Sequence, residues 1–269
     1  LTDNDFIYYL YRLYIDSQQL LNSFNQLKIK RIMMKKTFLV YGVSKGLGKA
    51  LIEGIPTAQD TIYGVSRSIP QFIGDNFHWI QTDLADNHSA QTVKTILQDT
   101  PIDCLIFNVG IWEKHAFTDE YLFEKTEDTE IVNMIQTNIS ACILHLKAML
   151  PNLRLGKKSK IILIGSTWGL DNHNGHEVTF SASKYALRGI VQSLRETLRQ
   201  DKIAISVINL GYLATEYDLS TPIEDVISRT EGALIPLQDV LNAVKFILST
   251  SDATCVKEIT MPAMLDENV

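Results

Sequence analysis

The chain has 269 residues, 45% of them hydrophobic and 21% charged, with a formal net charge of −6. That is ordinary globular composition. The acidic balance argues against a nucleic-acid-binding surface, and no apolar run reaches the roughly 18 residues of a membrane-spanning helix. Cys104, Cys142 and Cys255 are odd in number and widely spaced. They form no metal-ligand pattern and read as reduced thiols of a cytoplasmic protein.

Residues 1–32 stand apart from the rest of the chain. The run Phe6-Ile7-Tyr8-Tyr9-Leu10-Tyr11 is dense in aromatics, and Arg12 and Asp16 interrupt its apolar character. It has no basic segment ahead of it and no small-residue cleavage site, so it is a poor signal peptide. Met33-Met34-Lys35-Lys36 lies just ahead of the first strand. The segment therefore reads as an N-terminal extension: a short amphipathic helix, translated sequence upstream of the true start, or a membrane-surface anchor. Residues 33–269 read as one domain.

From Lys36 onward strand and helix patterns alternate. Strands are expected at Thr37–Tyr41, Thr61–Ser66, His78–Thr82, Asp103–Phe107, Lys160–Ile164, Ile203–Ile208 and Val256–Met261. Helices are expected at Leu47–Gly54, Ala90–Leu97, Thr129–Leu150 (ending before Pro151), Ser181–Arg199 and Leu237–Leu248. A polar loop containing Pro222 precedes the last helix. Val- and Ile-rich strands linked by helices predict an α/β fold with a doubly wound parallel sheet of about seven strands, helices on both faces.

In such a sheet ligands bind beyond the carboxyl ends of the strands. After the first strand come Gly42, Gly46 and Gly48, with Ser44, Lys45 and Leu47 between them. This strand, glycine turn and helix form a cradle for a dinucleotide pyrophosphate, which would face free N–H groups at the helix start. After the second strand stand Ser66 and Arg67. An NAD site usually places a carboxylate here to meet the adenosine ribose. Two cations, Lys45 and Arg67, without a carboxylate suit a 2′-phosphate instead, so NADP(H) is expected over NAD(H). Asp83-Leu84, Asn108-Val109-Gly110, Ser166 and Asn209-Leu210-Gly211 close the next four strands, with Thr215 beyond.

Over about Lys36 to Pro262 the chain resembles the classical short-chain dehydrogenase/reductase family, whose domain is Rossmann-like. The glycine turn matches the family's Thr-Gly-x-x-x-Gly-x-Gly, with Tyr41 for Thr. Asn108-Val109-Gly110 is similar to its Asn-Ala-Gly, with Phe107 where another Asn is usual. The resemblance implies that Asp83 contacts adenine, that Asn138 holds a water relay, and that Ser166 binds the substrate carbonyl. It implies that Lys184, in Lys184-x-Ala186-x-x-Gly189, follows the catalytic tyrosine. Gly211 and Thr215 fit the nicotinamide-side loop, with Leu210 for the usual Pro. By the same analogy the two long helices pair into a homodimer or homotetramer.

The catalytic tyrosine position holds Phe180. Ser181-Ala182-Ser183-Lys184 fixes that register, and Tyr185 is no substitute, lying about 140° from residue 180 around the helix. A missing general acid typically costs about 10²–10⁴ in rate. His173 and His176, in the loop before Phe180, are candidate replacement donors, as are Lys184 itself and bound water. Ile111, Trp112, Thr167 and Trp168 are expected around a bulky apolar substrate, and Tyr217 to Thr230 as a lid. The function expected is a slow NADP(H)-dependent oxidoreductase acting on a small-molecule carbonyl or alcohol. The alternative is a catalytically impaired NADP(H)-binding pseudoenzyme, a sensor or partner subunit.

Overall fold

The computed structural model describes residues 35–71, 74–171 and 173–266. The expectations for residues 1–32 lie outside the described residues. Seven parallel strands, β1 (Thr37–Tyr41), β2 (Thr61–Ser66), β3 (Phe77–Gln81), β4 (Cys104–Phe107), β5 (Lys160–Ser166), β6 (Ala204–Leu210) and β7 (Glu258–Met261), form a sheet of order β3-β2-β1-β4-β5-β6-β7. The helices are α1 (Gly46–Gly54), α2 (Ser89–Leu97), α3 (Asp128–Ile135), α4 (Ala141–Leu155), α5 (Val178–Thr197), α6 (Ile223–Thr230) and α7 (Leu237–Ser249).

Successive strand side chains point to opposite faces, and both faces are covered. Leu39, Leu105, Ile161 and Leu163 meet Val93, Leu146, Met149 and Val191 of α2, α4 and α5 on one side. Phe38, Val40, Ile106 and Ile162 meet Leu51, Val240 and Val244 of α1 and α7 on the other. The chain winds outward from β1 to β3 and then returns to β4 beside β1. That reversal opens a crevice beyond the carboxyl ends of β1 and β4.

Two departures from the family pattern pack together in this core. The rings of Tyr41 and Phe107, neighbours across β1 and β4, lie 5.1 Å apart. His145 of α4 meets Tyr41 edge-on at 4.9 Å. The His145 ring shares hydrogen bonds with the Tyr41 hydroxyl at 3.1 Å and with Ser89 Oγ at 3.0 Å. Burial pushes the Tyr41 phenol up and pulls the His145 imidazole down to about 4, so a neutral imidazole is held among satisfied hydroxyls.

The structure corrects several of the expected bounds: α5 starts at Val178 rather than Ser181, so that Phe180 lies within its first turn, and β7 starts at Glu258 rather than Val256. The long helix does not stop before Pro151 but runs as α3, a π turn over Gln136–Ser140, and α4 through Pro151 to Leu155. Proline there forfeits one backbone bond. Beyond it the helix end is tied to its surroundings: the buried amide of Asn152 donates to the carbonyls of Gln98 and Thr100 at 2.9 and 2.8 Å, and Ser159 Oγ donates to the Leu153 carbonyl at 2.6 Å. The polar stretch after β6 contains α6, with Pro222 at its N-cap and Glu224 and Asp225 in its first turn. β5 and β6 each reach two residues further than expected, pairing Ser166 with Leu210.

Candidate functional site

A cavity of about 750 Å³ opens beyond the carboxyl ends of the strands, from the glycine turn to the loops after β5 and β6. Its first end is made of backbone. Gly42 has φ +80, and a Cβ there would lie 2.2 Å from the Asn108 carbonyl oxygen. A Cβ at Gly48 would lie 1.7 Å from the Gly42 carbonyl oxygen. Only glycine lets the turn close on itself this way. Asn108 ties it to β4 by donating from Nδ2 to the Gly42 carbonyl at 3.3 Å. α1 has no acidic residue in its first turn and no side-chain cap, which leaves its N–H groups facing the cavity for an anion.

Lys45 and Arg67 line this end and are exposed. Neither has an ion-pair partner among the described residues. Ser66 offers no carboxylate. Its hydroxyl donates to the Ser68 carbonyl at 2.7 Å and accepts from Trp79 Nε1 at 3.1 Å. Asp83 and Leu84 form the adjoining wall, where Asp83 Oδ1 accepts from the Ala85 N–H at 3.0 Å.

The other end is made of side chains. Ser166 Oγ accepts from the Trp168 N–H at 3.2 Å, which leaves its own proton for a ligand. Lys184 Nζ donates to the Ile164 carbonyl at 3.3 Å and lies 5.3 Å from the centre of the Phe180 ring. Burial pulls the Lys184 ammonium down to about 8, against a smaller opposing effect of Cys142. A Cβ at Gly110 would come 3.0 Å from Lys184 Nζ, so the glycine makes room for the amine.

Two buried carboxylates hold the aromatic walls. Glu113 Oε1 accepts from the N–H groups of Thr179 and Phe180 at 2.9 and 3.1 Å, capping the start of α5 from another loop. Glu177 accepts from the Phe117 N–H and from Trp168 Nε1, each at 2.7 Å. Phe117 is thereby held at φ +63, a conformation rare outside glycine. Its ring meets those of Phe180, Tyr212 and Trp168 edge-on at 5.4, 5.7 and 5.6 Å. Burial, with the nearby carboxylates Glu177 and Asp266, pushes the Tyr212 phenol up to about 12.

Of the residues expected from the sequence, Gly42, Ser44, Lys45, Gly46, Leu47, Ser66, Arg67, Asp83, Leu84, Asn108, Val109, Gly110, Ser166, Phe180, Lys184, Gly211 and Thr215 all line this cavity. Gly48 and Asn138 do not. Gly48 acts on the shape of the turn. Asn138 sits in the π turn, where its Oδ1 accepts from the Ile111 N–H at 2.9 Å and its Nδ2 donates to the Ile111 carbonyl at 2.7 Å and to Ser183 Oγ at 3.1 Å. Its side chain thus pins the Ile111 loop to α5.

Neither histidine offered as a donor reaches the cavity wall. His173 stacks on Trp168 at 6.1 Å, shares a hydrogen bond with Ser181 Oγ and accepts one from the Gly175 N–H, while His176 is exposed. Ile111, Trp112 and Trp168 do line the cavity, but Thr167 and the Tyr217–Thr230 stretch do not. Sequence reading missed Phe117, Tyr212, Glu113 and Glu177. Tyr212 directly follows Gly211 at a strand end and could have been found by that rule. The others come from loops whose sequences carry no signal of their meeting. Among the described residues there is no group of three or more His, Cys, Asp or Glu able to hold a metal ion, and no helix long and apolar enough to cross a membrane.

The family model for short chain dehydrogenase matches residues 36–223. The 3-oxoacyl-[acyl-carrier-protein] reductase FabG of Escherichia coli (strain K12) is 27% identical over 232 residues, 81% of this chain and 91% of that protein. The fold is shared with a short chain dehydrogenase from Leptospira borgpetersenii with bound NAD+ (TM-score 0.69, 19% identity, covering 85% of this chain and 92% of the other). It is shared also with a tyrosine-to-phenylalanine variant of ElxO with NADPH bound (TM-score 0.67, 21% identity, covering 84% and 97%). The glycine cradle, the strand-end serine and the buried lysine thus occur in a chain that matches one family model over most of its length, and this protein belongs to the short-chain dehydrogenase/reductase family of NAD(P)-dependent oxidoreductases.

Proposed function

We propose that this chain is an NADP(H)-dependent oxidoreductase acting on a small-molecule carbonyl or alcohol, working slowly because residue 180 is phenylalanine. The observation that carries this reading is one cavity with the cations Lys45 and Arg67 at one end and Ser166 with Lys184 at the other. The cradle that a Cβ at Gly42 or Gly48 would fill fits a dinucleotide. Gly42, Ser44, Gly46 and the start of α1 would hold the pyrophosphate. Lys45 and Arg67 would clamp a 2′-phosphate, Asp83 and Leu84 would meet the adenine, and Asn108, Val109, Gly110, Gly211 and Thr215 would flank the nicotinamide side. When bound, the nicotinamide exchanges a hydride with the substrate carbon.

Ser166 donates its hydroxyl proton as a hydrogen bond to the substrate oxygen. Lys184, held in place by the Ile164 carbonyl, would bond the nicotinamide ribose. Asn138 acts through the position of Ile111. The rings of Trp112, Phe117, Trp168, Phe180 and Tyr212 favour an aromatic or bulky apolar substrate. The three free thiols fit a cytoplasmic setting, and residues 1–32 lie ahead of the family match that begins at residue 36. Exposed Val132, Ile143, Leu144 and Val178 on α3, α4 and α5 support pairing of these helices into a homodimer or homotetramer.

The alternative, a cofactor-binding pseudoenzyme, is favoured by one feature: Phe180 puts a bare ring, 7% exposed, under the Lys184 amine. The test is to titrate the protein with NADPH and NADH and then follow NADPH oxidation over a panel of aromatic and aliphatic carbonyls. Tighter NADPH binding with slow turnover is expected. Tight binding without turnover selects the pseudoenzyme, and equal affinities would remove the NADP(H) assignment.

A further inference from the structure

We infer that Tyr212 supplies the hydrogen bond and the proton to the substrate oxygen that residue 180 cannot supply. The inference rests on the oxidoreductase reading above.

The placement comes from the sheet. Ser166 at the end of β5 is in register with Leu210 at the end of β6, and Tyr212 lies two residues beyond Leu210. Adjacent parallel strands are about 4.8 Å apart, so Ser166 and Tyr212 rise from the same stretch of rim. Both line the cavity with Phe180 and Lys184. The Tyr212 ring is fixed edge-on against Phe117 at 5.7 Å and Trp168 at 5.4 Å, and Phe117 in turn packs 5.4 Å from Phe180. Its backbone is held by the Ile235 N–H, which donates to the Tyr212 carbonyl at 2.9 Å. Both aromatic partners are themselves anchored by Glu177. A phenol is therefore held rigidly in the wall of the substrate end. Among the described residues its hydroxyl takes part in no hydrogen bond.

Histidine does not compete for this role, because His173 is engaged by Ser181 and lies behind Trp168. Tyr185 does not either, since its hydroxyl donates to the Leu170 carbonyl. The phenol of Tyr212 stays protonated at neutral pH and remains more acidic than an aliphatic alcohol. As the substrate carbon accepts a hydride from the reduced nicotinamide, an electron pair moves onto the carbonyl oxygen. The O–H bond of Tyr212 breaks, its proton joins that oxygen to complete the alcohol, and the phenolate regains a proton from water. In the oxidative direction each transfer is reversed.

The test uses the full chain in four forms: native, Tyr212→Phe, Phe180→Tyr, and Tyr212→Phe with Phe180→Tyr. Phenylalanine keeps the ring packing of Tyr212, so a merely structural role predicts no change. The inference predicts that Tyr212→Phe lowers kcat on the carbonyl panel by about 10²-fold, with the NADPH dissociation constant unaltered. Adding Phe180→Tyr to that variant should restore turnover. A readout independent of turnover is quenching of Trp112 and Trp168 fluorescence by acetophenone in the presence of NADP+. Loss of one hydrogen bond should weaken acetophenone binding about 3- to 10-fold. A Tyr212→Phe variant with native kcat and native acetophenone affinity would overturn the assignment while leaving the oxidoreductase reading intact. A native protein that binds NADPH but turns over only after Phe180→Tyr would overturn it in favour of the pseudoenzyme. A native protein that binds neither nucleotide would remove both readings together.

Discussion

At the pyrophosphate end of the cavity, recognition comes from main chain: glycines at positions where a Cβ would strike a carbonyl oxygen 2.2 or 1.7 Å away, and the uncapped start of α1. At the substrate end it comes from side chains of separate loops: Trp112 and Phe117 after β4, Trp168 after β5, Phe180 on α5 and Tyr212 after β6. Backbone recognition tolerates few changes, since its geometry is a property of the turn. A side-chain wall can lose one hydroxyl and keep its shape. Phe180 illustrates the second case: its N–H is held by Glu113 and its ring packs on Phe117 without a hydroxyl.

The strongest way to break this contrast is at the turn. Gly48→Ala puts a methyl group onto the Gly42 carbonyl, with backbone rather than a flexible side chain in the way. The expected cost is at or beyond the upper part of the usual range of about 1–3 kcal/mol for overpacking. Thermal unfolding should show a lowered Tm, and NADPH titration should show loss of binding.

The next effect separates the core from the site. His145 is held neutral with a pKa near 4, below its usual value of about 6.5. Because the unfolded chain binds the proton more readily, stability is fully present above about pH 6.5 and is lost as pH falls toward 4. Denaturant melts across this window should lose up to about 3 kcal/mol, and His145→Gln should flatten that dependence. A slope unchanged in the variant would place the acid sensitivity elsewhere.

A smaller effect is expected at the adenosine end. Arg67→Ala should remove about 1–3 kcal/mol of the preference for NADPH over NADH, the worth of a charge-assisted contact. NADH affinity should barely move, since the lost partner is the 2′-phosphate. Parallel weakening of both nucleotides would assign Arg67 to the pyrophosphate instead.

The contrast also explains what was legible in the sequence. The central strands β4 and β5 are plain from their apolar runs because they are buried at every residue, whereas the edge strands β3 and β7 carry weaker, mixed patterns. The glycine cradle was equally plain because a backbone site needs a particular residue at a particular spacing. Pro151 misled because a local rule says nothing of the tertiary hydrogen bonds that Asn152 makes just beyond it. Tyr41 and Phe107 depart from the family pattern, and the structure packs them against each other and His145 in the core. No local pattern announces that three distant residues share one pocket. The same holds for Glu113 and Glu177, whose roles exist only once α5 has been laid across the loop after β4.

The most direct test of an intact cofactor end beside a substrate end lacking its usual donor is Phe180→Tyr, with NADPH affinity and kcat measured on the same preparation. The dissociation constant should stay within about twofold of native, and kcat should rise at least about tenfold, short of the full 10²–10⁴ of a general acid because Tyr212 already supplies part of it. A robust native rate that falls on introducing the tyrosine would contradict the account.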